Sequence, residues 1–150
     1  MNELGDLYQQ VILDHNRQPR NYHRLEAPAR HAVGHNPLCG DRITVYVDVR
    51  DGVIRDVGFE GSGCAISKAS ASMMTEALKG RSEQEVEALF QRFHRLVTGA
   101  PGETPGGEEL GKLVVFSGVR DYPVRVKCAT LAWHTLRAAL QTPGGTATTE

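Results

Sequence analysis

Two runs of alternating apolar residues on either side of Asp51-Gly52 restrict this chain more than any other feature of it. Ile43, Val45, Val47 and Val49 alternate with Thr44, Tyr46, Asp48 and Arg50, and Val53, Val57 and Phe59 resume the period after Gly52. A period of two gives an extended strand one apolar face, and Asp-Gly between two such runs marks a hairpin. A two-residue turn would pair Val47 with Asp56 and mix the faces. A three-residue loop, Arg50-Asp51-Gly52 with Gly52 left-handed, pairs Val49 with Val53, Val45 with Val57 and Ile43 with Phe59. That is the register expected.

Helical periods surround the hairpin. Leu4, Leu7, Tyr8, Val11 and Ile12 follow an amphipathic spacing that Pro19 ends. Residues 20 to 38 read as irregular, with Pro28, Gly34 and Pro37 as punctuation. Ala65 to Lys79 reads as a helix stopped by Gly80, with Ile66, Ala69, Met73 and Ala77 inward. Ser82-x-x-Glu85 is a capping box that opens a second helix, whose stripe is Val86, Leu89, Phe90, Phe93 and Val97. Thr98 to Glu109 has the Gly/Pro content of a mobile loop, and Leu110 to Ser117 reads as a short helix. Pro123 to Lys127 reads as extended, and Ala129 to Leu140 as a last helix with Leu131, Ala132, Leu136 and Ala139 inward. The order implies an α+β fold, a small antiparallel β-sheet with helices packed on one face. Residues 1–140 are expected to form a single domain, and 141–150 a disordered tail.

The bulk chemistry excludes several partners. The formal net charge of −1 gives no reason to expect nucleic acid or an anionic membrane. No apolar run approaches the roughly 18 residues that span a bilayer, and the first ten residues lack the pattern of a secretion signal. A cytoplasmic location is expected, where thiols stay reduced. Three cysteines, an odd number, do not suit a disulfide framework.

Those cysteines are where chemistry can reside. Extending the expected register places Cys39 nearly opposite Gly63 and Cys64, across a strand spacing of about 5 Å. Cys39 and Asp41, two apart, share the side of Ile43 and Val45 in an extended chain. Cys64 falls where a helix begins, a setting of unpaired N–H groups and positive dipole that favours thiolate. Cys128 is expected just before the last helix, with Arg125 and Lys127 close in sequence. Three thiolates and a carboxylate suit tetrahedral zinc. Equally open from spacing alone is that Cys64 and Cys128 are small core residues, since no CxxC pair is present. The histidines read more blandly. His15 sits near the end of the first helix, His23, His31 and His35 in a loop, and His94 and His134 beside apolar helical stripes.

The segments "LYQQVILDHNRQPRN", "NPLCGD", "GSGCAIS" and "RVKCATLAW", in that order from about Leu7 to Leu140, resemble the SufU-type proteins of the iron–sulfur cluster assembly family, which have a SufE/IscU-like fold. IscU-type scaffolds carry a histidine immediately before the third cysteine and an LPPVK segment. Here Lys127 and "DYPVRVK" stand in those places, and Thr98 to Gly111 matches a SufU insertion. A protonated lysine is a poor ligand, but its charge can offset a zinc that carries three thiolates and a carboxylate. The resemblance implies Cys39, Asp41, Cys64 and Cys128 as zinc ligands, with Cys39 the ligand that is released and reacts. It implies a zinc-dependent sulfurtransferase that accepts persulfide sulfur from a SufS-like cysteine desulfurase and serves a downstream assembly scaffold. Two alternatives remain: a scaffold that builds a transient iron–sulfur cluster on the same residues, and a domain in which zinc is merely structural.

Overall fold

The computed structural model describes residues 3–26, 30–99, 110–120, 122–141 and 145–148, with the side chains of 3–8 left out. Helix α1 (Glu3–Arg17) precedes strands β1 (Arg30–Asn36), β2 (Asp41–Arg50) and β3 (Val53–Ser62). Helices α2 (Ala65–Leu78) and α3 (Glu83–Thr98), a 3-10 helix (Gly111–Val119), helix α4 (Pro123–Gln141) and strand β4 (Thr146–Thr148) follow. The sheet order is β3-β2-β1-β4, with β4 parallel to β1 and the other pairs antiparallel. Helix α4 lies across β1 and β2, α2 rests on β3 and α4, and α1 packs on α2. No described helix is long and apolar enough to cross a membrane.

The hairpin forms with its apolar faces as expected but in a different register. Asp51 and Gly52 both have positive φ, +55° and +74°, and make the two-residue turn in which Arg50 pairs with Val53 and Val49 with Ile54. A bulge then leaves Arg55 over, so that Asp48 pairs with Asp56, Val47 with Val57 and Val45 with Phe59. An extra residue reverses the alternation. Ile54, three positions before Val57, is therefore as fully buried as Val57 is, while Val53 is only half-buried. The mixing of faces that argued against a two-residue turn is removed by the bulge.

Three further elements depart from the sequence reading. Residues 30–36, read as irregular, form β1, whose buried residues are Ala32, Gly34 and Asn36. Too few bulky apolar groups alternate there to signal a strand, because α4 lies close upon it. A Cβ added at Gly34 would run into the buried Thr135 hydroxyl and come 3.1 Å from Leu131. Pro123 to Lys127 is helical rather than extended. Pro123 opens α4, a first-turn position that costs no hydrogen bond. The expected disordered tail contains β4, which also makes the sheet mixed rather than purely antiparallel; Val33 donates to the Gly145 carbonyl at 3.2 Å. The expected loop at Thr98 to Glu109 falls mostly on 100–109, outside the described residues.

Elsewhere the periods place the core. The capping box closes through Glu85 N–H to Ser82 Oγ and Ser82 N–H to Glu85 Oε1, both 3.1 Å. Val86, Leu89, Phe90, Phe93 and Val97 are buried, as are Leu131, Ala132, Leu136 and Ala139. Phe93 stacks on Trp133 at 4.5 Å between centroids, which joins α3 to α4.

Gly34→Ala should destabilise the fold by about 1–3 kcal/mol, as overpacking does. Thr135→Ala in the same chain should recover part of the loss, because it removes the clashing hydroxyl. Urea denaturation of the single and double variants checks this; equal stability of Gly34→Ala and the parent would show that α4 yields freely.

Candidate metal centre

The open end of the hairpin is built around Asp41, the first residue of β2, which is 2% exposed. The last β2–β3 pair is Arg42 with Ser62, so the chain next brings Gly63 and Cys64 past Asp41. Asp41 Oδ1 accepts the Cys64 backbone N–H at 2.8 Å, and Oδ2 lies 4.0 Å from Cys64 Sγ. Only glycine fits at 63, since a Cβ there would stand 2.5 Å from Asp41 Oδ1. It is thus Asp41, rather than Cys39, that faces the Cys64 segment across the hairpin. The reason is the two-residue turn and the one-residue bulge together, which slide β3 two residues from the expected register.

Cys39 occupies a turn instead of extended strand. Residues 37–40 join β1 to β2, with Cys39 N–H on the Asn36 carbonyl at 3.2 Å and Gly40 at φ +69°. The thiol is exposed, and its sulfur lies 3.1 Å from that of Cys128. Cys128, 2% exposed, sits in the second turn of α4 and not at its start. The helix-start argument therefore holds for Cys64 alone, and Cys128 arrives by the packing of α4 on β1 and β2.

Cys64 is the N-cap of α2, its sulfur accepting the Ser67 N–H at 3.4 Å. A hydrogen bond from Cys128, with the Ser67 and Ile66 N–H groups, lowers its pKa to about 6 against the opposing effects of burial and Asp41. Cys128 moves the other way. Its hydrogen bond to Cys64, its burial and its bond to Cys39 hold the proton on its sulfur. One thiolate beside one thiol is a metal-free arrangement that a cation would convert to several anionic ligands.

The ligand atoms of Cys39, Asp41 and Cys128 all lie within 4.8 Å of one another, and Cys64 adjoins them through Asp41 and Cys128. Four sequence candidates thus meet in one place. The histidines take no part among the described residues. His15, expected at the helix dipole, is buried and bonded through Nδ1 to Ser72 Oγ at 2.7 Å. His94 and His134 both lean on Phe90. Lys127 is half-buried on α4, and Arg125 rests over the Tyr122 ring.

One residue at the centre escaped the sequence reading. Asn36, fully buried, directs Nδ2 at Asp41 Oδ2 and at Cys128 Sγ, each 3.3 Å away, and its Oδ1 has no partner among the described residues. Its position in "NPLCGD", three residues before Cys39, was the available signal.

Comparison with known proteins agrees with this geometry. Residues 7–129 match the family described as NifU-like N terminal domain. The iron–sulfur cluster assembly scaffold protein IscU of Streptococcus pyogenes is 39% identical over 94% of this chain and 87% of its own length. The zinc-dependent sulfurtransferase SufU of Bacillus subtilis is 40% identical over 89% of this chain and 88% of its own. The solved SufU structure of Fervidobacterium islandicum AW-1 superposes with a TM-score of 0.80 at 34% identity, covering 87% of this chain and 94% of that one. With this much of its length shared, the chain belongs to the NifU-like N-terminal domain family, among the iron–sulfur cluster assembly proteins of IscU and SufU type.

Proposed function

We propose that, within iron–sulfur cluster assembly, this protein is a zinc-dependent sulfur acceptor that takes persulfide sulfur from a cysteine desulfurase. The observation that carries the reading is the contrast among the clustered sulfurs. Cys39 is exposed in a turn, while its neighbour Cys128 is buried on a helix and Cys64 caps another. The donor set fits zinc, which accepts thiolate sulfur and carboxylate oxygen, and the buried Asp41 and Cys128 have no other cation beside them in the described contacts. Zinc held by Cys39, Asp41, Cys64 and Cys128 supplies the positive charge that keeps the thiols ionised at neutral pH.

The chain's own residues then divide the work. The Cys39 thiolate attacks the outer sulfur of the desulfurase's cysteine persulfide. A new sulfur–sulfur bond forms on Cys39, the persulfide bond breaks, and its electron pair leaves on the desulfurase thiolate, which takes up a proton. The Pro37–Gly40 turn lets Cys39 move without breaking the β1–β2 ladder, because the last pair of that ladder is Asn36 with Asp41. Cys64 and Cys128 are fixed by their helices and stay in place. A small thiol-lined centre of this kind can also assemble a cluster, and the IscU names among the relatives favour that second reading. Iron and sulfide would then be cargo, and the purified protein would absorb as a cluster rather than carry colourless zinc.

Two results are expected. Freshly purified protein should hold about one zinc per chain, with chelation lowering thermal stability. Cys64→Ala and Cys128→Ala should lose the metal by elemental analysis, whereas His94→Ala and His134→Ala should retain it; full zinc in both cysteine variants would remove these ligands from the site. Incubation with desulfurase and cysteine should add about 32 Da to the peptide containing Cys39. Cys39→Ala should abolish stimulation of desulfurase turnover, and transfer to Cys64 or Cys128 in that variant would overturn the assignment.

A further inference from the structure

Asn36 touches three of the four candidate ligands. Its backbone carbonyl accepts the Cys39 N–H at 3.2 Å, and its side-chain nitrogen faces Asp41 Oδ2 and Cys128 Sγ at 3.3 Å each. It is fully buried at the last pair of the β1–β2 ladder, directly across from Asp41. A carboxylate oxygen and a cysteine sulfur both accept hydrogen bonds, so it is the NH2 end of the amide that faces the two of them. Both amide hydrogens are thereby committed, one to each acceptor. The oxygen end is left without a partner among the described residues, an arrangement that costs free energy and persists because reversing the amide would set two acceptors against oxygen.

The three contacts differ in kind. Asp41 and Cys128 are gripped by the side chain, whereas Cys39 is held only by its main chain, so its sulfur can turn while the amide keeps the other two aligned. The exposed Cys39 sulfur meets Cys128 Sγ at 3.1 Å instead of the Asn36 amide. We propose that Asn36 is a positioning residue that holds Asp41 and Cys128 in place as ligands and so leaves Cys39 the cysteine that is free to react. This inference rests on the metal-centre reading above and adds a side chain that reinforces the inequality among its sulfurs.

The test uses the full-length protein loaded with zinc or cobalt(II). Asn36→Leu keeps the approximate shape and removes both donors, and Asn36→Asp keeps the shape and replaces them with oxygen. In the parent, peptide-resolved alkylation should modify Cys39 well before Cys128. In either variant Cys128 labelling should approach that of Cys39, the cobalt–thiolate absorption should shift, and metal affinity should fall about 10- to 100-fold, as loss of a ligand's outer hydrogen bond does. Asn36→Gln, which retains the donor, should restore part of the labelling order. A metal-loaded variant with the parental labelling order and cobalt spectrum overturns the role of Asn36 alone. A parent that binds neither metal overturns the metal-centre reading and this inference with it. Should both replacements fail to fold, the parent still decides through the Asn36 side-chain amide protons in NMR. They should exchange slowly and shift on metal binding, and rapid exchange without a shift overturns the proposal.

Discussion

A buried carboxylate organises this end of the molecule. Asp41 is almost inaccessible, and an ionised carboxylate without donors or a cation there would be costly. The Cys64 N–H and the Asn36 amide meet part of that need. In meeting it they fix where α2 begins relative to β2, and where β1 ends. The sulfur of Cys64 is brought in because its own main chain caps the acid, and the sulfur of Cys128 because it shares the Asn36 amide. Without Asp41, the strand hairpin and the two helices would have no common point at which their cysteines must meet.

The fold was readable where the period was strong and hidden where it was interrupted. The stripes of α3 and α4 and the parity of β2 follow from apolar spacing, and the capping box follows from Ser82 and Glu85 alone. The hairpin register was misjudged because Arg55 is a bulge that leaves no compositional trace. Strand β1 was missed because its inward residues are Ala32, Gly34 and Asn36, small or polar so that α4 can lie near. Strand β4 is three residues of Thr and Ala, too short for any period. The four candidate ligands were legible, yet the contacts among them were not. Cys39 was expected against Cys64 and instead meets Cys128, since the turn and bulge moved β3 and Pro123 opened α4 nearly two turns early.

The three sulfurs occupy three different environments although they lie together. One caps a helix and is acidic, one is buried with its proton held, and one is in solvent. Local backbone produces that difference: a helix N-terminus, a helix interior and a turn. Equivalent surroundings would make the sulfurs chemically interchangeable, and a reagent arriving from solvent could not select among them. The difference among the sulfurs therefore belongs to secondary structure.

The margins of the sheet carry a consequence for recognition. On one margin Val33 is tied to Gly145 and β4 runs alongside β1. On the other, Ile54 donates to Arg81, and Phe59 to Asn21, so that neighbouring chain occupies outward-facing groups of β3. An incoming extended peptide finds these backbone positions already taken, and cannot dock there by lengthening the sheet. Whatever approaches the sulfur-bearing end must read side chains and the contour of a four-residue turn. The turn beside Cys39 offers side chains to solvent, Leu38 foremost among them at 61% exposure, while the backbone groups at the sheet margins behind it are already spoken for.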